Sequence, residues 1–547
     1  MKYTRRSVFS ATAGVLAASS RGLAAFPSNN EEQRRQEAYR LRLQAALADR
    51  IQPLPDHVSN GDESRYAARW GNFSKALPHN ALGEVDPNAY TTLLNALASS
   101  SPAEMEKVLM GASDPSAQMK LVNPLSGVAF DMEGMDSHAL SQPPAPALSS
   151  AEAAGEMVEL CWMALLRDIP FTDYAASAAV QSACDELSKL SDFRGPKVNG
   201  KVTPQTLFRG FTAGDTVGPY ISQFLVRPVQ YGAQMVDQKI RTFAPGSDHL
   251  TDYASWLAAQ NGNLPSVPNQ FDNRMLLRNP RDMAAWVHMD VLFQAYFNAA
   301  NILMMPPDPG DPLTGGGMGA TPSASNPYRG SKTQVGFGTF GGPFFAAMVP
   351  EPSTRALKAV WFQKWFVHRR LRPEEFGGLV HNQMAGKGAY PIHADVLQSA
   401  ALNRIKTQFG AWLLPQAFPE GCPIHPSYGA GHATVAGACV TMLKAMFDES
   451  FPIANPVQVS SDGQTLVPYT GADASMMTVG GELNKLAANV AIGRNMAGVH
   501  YRSDYTESLR LGEKVAIRIL QDVRHTFGET FNGFSFTSFD GAKVNIT

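Results

Sequence analysis

Residues 364–373, 425–434 and 493–504 carry basic and histidine side chains at spacings that suit a single bound anion. Each segment alone also fits a simpler interpretation: a solvated basic face, a glycine-rich turn, or a histidine–aspartate pair on a helix surface. Together, however, they supply three cations, a predicted helix N-terminus and histidines. Cationic side chains and the free N–H groups of a helix start are what bind tetrahedral oxyanions in proteins. The three segments therefore predict an oxyanion site.

In the first segment, Lys364 and Arg372 lie eight residues apart, which would place them near one face of a helix. Trp361 and Trp365 make the same stretch apolar, so part of it should face the interior. A buried cation needs a partner. No acidic residue within this helix is placed to provide one, whereas a bound anion would. Pro373 is expected to end the helix or to bend its exit.

The other two segments add a third cation, Arg494, and groups that could transfer a proton. Gly431 and His432 open a predicted helix, where glycine lets the backbone approach a ligand closely and the free N–H groups attract anions. Asp504 follows His500 by four residues. On a helix its carboxylate could accept a hydrogen bond from Nδ1 and leave Nε2 as a directed base. Such a histidine can be a metal ligand, a nucleophile or a general base.

The scaffold that holds these segments is predicted to be helical. Apolar residues recur at helical spacing from Val158 to Leu165, and long alternating β patterns are absent from the sequence. We therefore predict an all-α fold, a large helical protein built around helix bundles. Short strands are predicted at 456–460 and 464–469. Helices are predicted over residues 31–50, 291–299, 356–370, 432–447, 482–492 and 512–527.

The 547 residues are more than one small hydrophobic core usually organises. We divide the chain into a signal peptide (1–28), an N-terminal helical region (29–300), a Pro/Gly-rich loop (301–342) and a C-terminal helical region that carries the anion site (343–547). The signal peptide is predicted from a twin-arginine pattern at residues 4–9, a short apolar run and a small-residue cleavage context. It predicts export by the twin-arginine route and a periplasmic or extracellular location.

Composition limits the partners and metals that can be expected. A formal net charge of -2 gives no global reason to expect nucleic acid or a membrane surface as a partner. Four cysteines without a CxxC pair argue against structural zinc, and their pairing stays open. Asp308 and Asp311, in the Pro/Gly-rich loop, could bind calcium, although acids in such turns are more often simply solvated.

The three segments resemble the motifs of the vanadium-dependent haloperoxidases and of the acid phosphatases in the same superfamily, and the algal-type bromoperoxidases most closely. The family pattern is Lys, then Arg-Pro, then Pro-Ser-x-x-Ser-Gly-His, then Arg-x5-His-x3-Asp. Residues 206–212, 217–224 and 288–298 are similar to algal-type segments as well. The resemblance extends through most of the chain after the signal peptide and implies a vanadate cofactor.

The resemblance also implies how vanadate is held. Its equatorial oxygens would bind Lys364, Arg372, Arg494 and the amide of Gly431, and His500 would be the axial ligand to vanadium. The remaining implied roles complete the site: His432 as the acid–base histidine, Lys364 as donor to the peroxide, Asp504 orienting His500, Asp290 near the histidines, and His425 with Trp361 in the halide pocket.

Three positions refine that expectation. His425 occupies a position that is histidine in bromoperoxidases and phenylalanine in chloroperoxidases, and Trp361 occupies one where red-algal enzymes have arginine and others tryptophan. Ala430 departs from the family, which has serine there. The serine hydroxyl would contribute a charge-assisted hydrogen bond worth about 1.5–3 kcal/mol. Ser427 is not at the matching position, so the role is not transferred to it.

The expected activity is oxidation of bromide and iodide by hydrogen peroxide to a hypohalous-acid equivalent that halogenates an organic acceptor, with chloride weak or absent. A homo-oligomer is expected from the same resemblance. Two alternatives stay open. In a phosphomonoesterase, His500 would attack phosphorus and His432 would protonate the leaving group. In a non-catalytic oxyanion-binding protein, Ala430 would mark a degenerate site.

Overall fold

The computed structural model describes residues 31–308, 310 and 316–547, and its architecture is helical, which confirms the predicted all-α class. The signal peptide predicted at 1–28 lies outside the described residues. The α-helices of the described chain are α1 (Glu31–Ile51), α2 (Asp62–Arg65), α3 (Pro87–Ser99), α4 (Pro102–Met105), α5 (Ala151–Leu165), α6 (Ala178–Leu187), α7 (Gln223–Val226), α8 (Tyr253–Gln260), α9 (Pro280–Met289), α10 (Gln294–Met304), α11 (Gly342–Met348), α12 (Ser353–Phe362), α13 (Pro373–Met384), α14 (Ala394–Leu397), α15 (Ala400–Phe409), α16 (Gly431–Met446), α17 (Val479–Met496) and α18 (Arg502–Val523).

The strands form small antiparallel pairs around the helices, and no described pair joins a larger sheet. The pair predicted at 456–460 and 464–469 is confirmed as β5 and β6. The strands are β1 (Val229–Tyr231) with β2 (Gln234–Val236), β3 (Ile240–Phe243) with β4 (Phe271–Met275), β5 (Val457–Val459) with β6 (Leu466–Pro468), and β7 (Phe534–Thr537) with β8 (Lys543–Ile546).

The centre of the fold is α16, which packs against α12, α17 and α18. Two glycines allow α16 and α18 to approach closely. A Cβ on Gly512 would lie 1.9 Å from the carbonyl oxygen of Thr434, and one on Gly437 would lie 2.2 Å from that of Leu509. Nearly every α16 side chain is buried as a result. This contact fixes where the first turn of α16 lies relative to the first turn of α18, and both carry predicted site residues.

Most of the predicted helices are present, with shifted ends. The helices predicted at 31–50, 432–447 and 482–492 correspond to α1, α16 and α17. The helix predicted at 512–527 is the second half of α18, which begins ten residues earlier, at Arg502. The prediction at 291–299 overlaps α10, which begins at Gln294. No helix of the described chain is long and apolar enough to cross a membrane.

The structure also bears on the metal and cysteine expectations. Asp308 accepts a hydrogen bond from the amide of Gly310 at 2.8 Å, as solvated turn acids do, and Asp311 lies outside the described residues. Within the described chain, no group of three or more His, Cys, Asp or Glu side chains is placed to hold a metal ion. All four cysteines are buried and free.

Candidate active site

The three segments singled out in the sequence meet where α13, α16 and α18 begin and α17 ends. Arg372, in the first segment, places Nη1 3.1 Å from Nε2 of His500 in the third. Its Nη2 lies 2.7 Å from Nδ1 of His425 in the second. Lys364 Nζ donates to the carbonyl of Pro426, also in the second segment, at 2.7 Å. The structure thus brings residues more than 130 positions apart in the sequence into one site.

The first segment is not the single helix that was predicted. After α12 the chain makes one π-helical turn (Gln363–His368), and Arg369 then adopts a left-handed conformation with φ 43°. The prediction that Pro373 ends this helix is wrong, because it begins α13 instead. Its fixed φ and missing N–H suit the first helical position. A chain reversal, not helical spacing, therefore brings Lys364 and Arg372 to the same site.

Three cations of the site are buried without a carboxylate. Within the described chain, Lys364, Arg372 and Arg494 form no ion pair, and Arg494 Nε has no hydrogen-bond partner at all. Their bonds go to backbone carbonyls and histidine rings instead. Several other buried cations of the described core do have an acid, as Lys75 has Glu374 at 2.8 Å. Buried charge is costly unless it is paired, so this cluster is built to receive an anion.

Burial and mutual repulsion also lower the pKa values of these cations. Burial lowers the pKa of the Lys364 ammonium well below its ordinary value of 10.5, and the positive charge of Arg372 lowers it further. Burial likewise lowers the pKa of the Arg494 guanidinium to about 10. A bound anion would oppose both effects, since opposite charge favours the protonated form. The site is therefore electrostatically complementary to an anionic ligand.

His500 and Asp504 form the predicted pair, although not on one helix. His500 precedes α18, and Asp504 lies in the first turn of that helix. Nδ1 of the histidine lies 2.8 Å from Oδ2 of the aspartate. Burial, followed by the charge of Arg372, lowers the pKa of the His500 imidazole well below its ordinary 6.5. The neutral ring then donates from Nδ1 and keeps the Nε2 lone pair directed toward the cations.

His432 occupies the opposite, more open side of the site. It lies in the first turn of α16, and its side chain is 26% exposed, whereas that of His500 is 2% exposed. Its Nε2 lies 3.0 Å from Oδ1 of Asp290, the residue that follows α9. A Cβ on Gly431 would lie 3.1 Å from the Trp361 ring, so a larger residue would crowd this position. His432 is therefore oriented by a carboxylate and accessible for proton transfer.

His425 and Trp361 lie together beside the cations. Their ring centroids are 4.8 Å apart at 40°, and Lys364 Nζ lies 5.6 Å from the centre of the indole. Trp361 Nε1 donates to the carbonyl of Val122 at 2.9 Å, which fixes the ring. Burial and the nearby positive charges lower the pKa of the His425 imidazole well below 6.5. The indole of Trp361 and the neutral imidazole of His425 thus form one uncharged side of the site, next to the cations.

Lys364, Arg372, Arg494 and the first turn of α16 form what we call the anion cradle. Ala430 leaves this cradle without a hydroxyl at the start of α16. Its methyl group is fully buried, and its amide donates to Ser508 Oγ at 2.8 Å. Ser427 does not fill this gap, because its hydroxyl donates to the carboxylate of Asp504. The Ser427 hydroxyl is thus engaged with Asp504 and does not take the place of the family serine.

Sequence reasoning did not single out two contributors to the site. Arg370 donates to Asp504 at 3.0 Å and to Glu156 at 2.8 Å. Ser508 supports the amide of Ala430. Their signals in the sequence are weak, because each depends on a partner at least 78 residues away. Only the packing of the helices reveals them.

The residues present fit a tetrahedral oxyanion that also takes a nitrogen ligand. Three unpaired cations and the first turn of a 16-residue helix supply positive charge, and His500 supplies a neutral, directed nitrogen. His432 is available to move a proton at the rim. This arrangement supports binding of an oxyanion and acid–base chemistry at one of its oxygens.

The chain is similar to known proteins over almost its whole length. A family model, the VCPO second helical-bundle domain, matches residues 354–529. The vanadium-dependent bromoperoxidase of Corallina officinalis is 35% identical over 95% of this chain and 100% of that protein. That of Ascophyllum nodosum is 34% identical over 89% and 88%, respectively. The homohexameric structure of a second vanadate-dependent bromoperoxidase from Ascophyllum nodosum has a TM-score of 0.87 at 30% identity, covering 96% of this chain and 93% of that one.

Proposed function

The chain belongs to the vanadium-dependent haloperoxidases of the algal bromoperoxidase type, and we propose that His500 and the three buried cations hold its vanadate. The protein is an enzyme that uses vanadate to oxidise bromide with hydrogen peroxide. One observation carries the assignment of the site: among the described residues, Lys364, Arg372 and Arg494 are buried without a carboxylate, beside Nε2 of His500, which faces Arg372 Nη1 at 3.1 Å.

Bound vanadate supplies a Lewis acid that activates peroxide toward halide. The protein's own groups then have distinct tasks. Lys364, Arg372, Arg494 and the Gly431 amide hold the oxyanion and stabilise negative charge on its oxygens, as preorganised donors do in a buried site. His432, held by Asp290, takes the proton of the incoming peroxide.

Vanadate-free enzyme is the material for the main test. Titration with vanadate should restore bromination in the presence of peroxide, with saturation at one vanadate per chain. Hydrolysis of a phosphate monoester by the vanadate-free enzyme, abolished by vanadate, would instead support a phosphomonoesterase. Binding of vanadate without turnover of any halide would support a non-catalytic oxyanion-binding protein. Neither alternative accounts for similarity to bromoperoxidases across 95% of the chain.

The halide preference is a further prediction. We expect oxidation of bromide and iodide and much slower oxidation of chloride, at least about 10-fold, which corresponds to about 1.4 kcal/mol. The reason is the polar, neutral His425 ring that lies against Trp361 at the cationic cluster. Steady-state assays of the vanadate-loaded enzyme with each halide at equal concentration provide the measurement. Chlorination as fast as bromination would contradict the prediction.

Restoring the family hydroxyl should strengthen cofactor binding. Ala430→Ser places an Oγ at the start of α16, where it can donate to a vanadate oxygen. We expect the vanadate Kd to fall about 10-fold, in line with about 1.5–3 kcal/mol for a charge-assisted bond less the cost of fitting the group. Calorimetric titration of the vanadate-free protein measures it. Ala445→Ser, buried at the far end of the same helix, is the matched control and should leave the Kd unchanged.

Two partners are proposed beyond peroxide and bromide. We propose an organic acceptor that receives the oxidised halogen, and product analysis after turnover with a phenol tests it. We also propose a homo-oligomer, supported by the homohexameric relative of 0.87 TM-score. Exposed apolar side chains such as Met235, Met289 and Val291 are available to an interface. Light scattering on the purified protein measures the assembly.

The export route and the division of the chain also stay proposals. The twin-arginine pattern at residues 4–9 supports export to the periplasm or beyond. Replacing both arginines with lysine should retain the protein in the cytoplasm, as cell fractionation would show. The regions 29–300, 301–342 and 343–547 are supported by the match of the helical-bundle family model within the last of them.

A further inference from the structure

The carboxylate of Asp504 is held by more donors than its pairing with His500 requires. Its Oδ2 accepts from His500 Nδ1 at 2.8 Å, from the Tyr501 amide at 3.1 Å and from Ser427 Oγ. Its Oδ1 accepts from Arg370 Nη1 at 3.0 Å. All of these side chains are buried. Four donors acting on both oxygens leave the carboxylate a single orientation.

Ser427 also touches the cationic side of the site through its backbone. Its amide donates to the carbonyl of Arg370 at 3.0 Å, and its own carbonyl accepts from Lys364 Nζ at 3.0 Å. The same residue therefore contacts Asp504 through its hydroxyl and Lys364 through its carbonyl. It connects Asp504, which pairs with His500, to a cation of the anion cradle.

We propose that Ser427, supported by Arg370, is a positioning residue that fixes the ring plane and tautomer of His500. The proposal rests on the function proposed above. A carboxylate that accepts hydrogen bonds at both oxygens has a fixed orientation, so it accepts from Nδ1 of His500 in one direction only. The imidazole therefore cannot rotate without breaking its hydrogen bond to Asp504. Nε2 is then held toward Arg372, whose Nη1 is 3.1 Å away, as an acceptor with a directed lone pair.

The contact can be tested because the Ser427 hydroxyl has a single task. Among the described residues its one hydrogen bond is to Asp504, whereas Arg370 also binds Glu156 and Ser503 and stacks on a tyrosine ring. Ser427→Ala removes one donor, leaves no buried donor without a partner and keeps the backbone bonds. Arg370 variants would disturb several contacts at once and are unsuitable.

The test compares two anions. We expect the cations to bind either phosphate or vanadate, whereas at equilibrium only vanadium, and not the phosphorus of free phosphate, would take a bond from the lone pair of His500. We therefore expect full-length, vanadate-free Ser427→Ala to bind vanadate about 3- to 10-fold more weakly, less than the roughly 10- to 100-fold loss that follows removal of a direct partner of a metal ligand, because three of the four donors to Asp504 remain. Its phosphate Kd should stay at the wild-type value. Calorimetry measures both constants. Ser427→Thr, which keeps the hydroxyl, should restore vanadate binding.

A control and a spectroscopic measurement complete the experiment. Thr441→Val removes another buried hydroxyl of the adjacent α16, whose only described bond is to the Gly437 carbonyl, and should change neither constant. Solid-state 15N NMR of histidine-labelled protein, with His500→Gln to assign the signal, should show protonated Nδ1 and bare Nε2 in wild type. Ser427→Ala should show a mixture of tautomers.

Three outcomes would overturn the proposal. Unchanged vanadate affinity and an unchanged His500 tautomer in Ser427→Ala would show that the hydroxyl does not position the ring. An equal loss of phosphate and vanadate binding would assign Ser427 to the cradle as a whole instead. Wild-type protein that binds phosphate but not vanadate would refute the proposed function itself. This third outcome is seen in wild type alone, whereas the first two are seen only in Ser427→Ala.

Discussion

His500→Ala is expected to raise the vanadate Kd by about 1,000-fold, equivalent to about 4 kcal/mol, and to abolish bromide oxidation at ordinary vanadate concentrations. His500 provides the neutral nitrogen of the site, with Nδ1 donating to Asp504 at 2.8 Å and Nε2 facing Arg372. Alanine leaves the three cations in place but removes the nitrogen ligand. Calorimetric titration with vanadate and a bromination assay provide the measurements.

The loss should be specific for vanadate. Phosphate, which needs only the cations and backbone donors, should still bind His500→Ala within about 10-fold of wild type, or about 1.4 kcal/mol. His381→Ala is the matched control, since this histidine is also buried but packs on α13 against Tyr253. A His500→Ala enzyme that retains tight vanadate binding would mean that another group holds the vanadium, which would contradict the proposed site.

Lys364→Met is expected to lower kcat/KM for peroxide by about 100- to 1,000-fold, the usual effect of removing one donor from a buried oxyanion site. The thioether is similar in length to the lysine stem but carries no charge. Lys364 is completely buried, and its ammonium bonds only backbone carbonyls among the described residues. It is therefore free to donate its remaining proton to an oxygen of a bound ligand. Steady-state kinetics with varied peroxide measure the effect.

Lys444→Met is the control variant: it shows whether a loss of activity in Lys364→Met comes from the catalytic role of Lys364 or only from replacing a buried lysine. Lys444 is also buried, bonds Asn484 Oδ1 at 3.2 Å and lies over the Phe539 ring. Its replacement should leave kcat/KM near the wild-type value. Equal losses in both variants would mean that Lys364 acts through the fold and not through the bound peroxide.

The vanadate-free Lys364→Met protein should nevertheless be more stable than vanadate-free wild type. In wild type, burial holds the pKa of Lys364 well below 10.5, whereas in the unfolded chain it returns to the ordinary value. Between those two pH values the unfolded chain binds more protons, so the free energy of unfolding of wild type increases with pH. The variant lacks this dependence. Thermal unfolding measured from neutral pH toward pH 10.5 should therefore show a decreasing difference in stability between vanadate-free Lys364→Met and vanadate-free wild type. Added vanadate should stabilise wild type more than it stabilises the variant.

The helical class and most helices could be predicted from local pattern alone. The apolar repeat between Val158 and Leu165 lies in α5, and α16 and α17 were placed within a few residues. Residues near in sequence decide such periodicity, so no tertiary information is needed. The conformation of the segment from Lys364 to Arg372 could not be predicted from local pattern. Its left-handed Arg369 is held by contacts with Glu63, a residue more than 300 positions away.

Residue type and short spacing in the sequence were sufficient to select three cations, a His–Asp pair and the glycine at a helix start, and so to predict the kind of chemistry that we propose for the site. The sequence by itself did not determine that the cations lack carboxylates, because an ion pair can form with any acid that packing brings within reach. Arg370 forms structural ion pairs with Glu156 and Asp504, whereas Arg372, two residues later, has no carboxylate partner among the described residues. Tertiary structure alone decided which basic residues were left for the anion, since burial and pairing are properties of the packed helices.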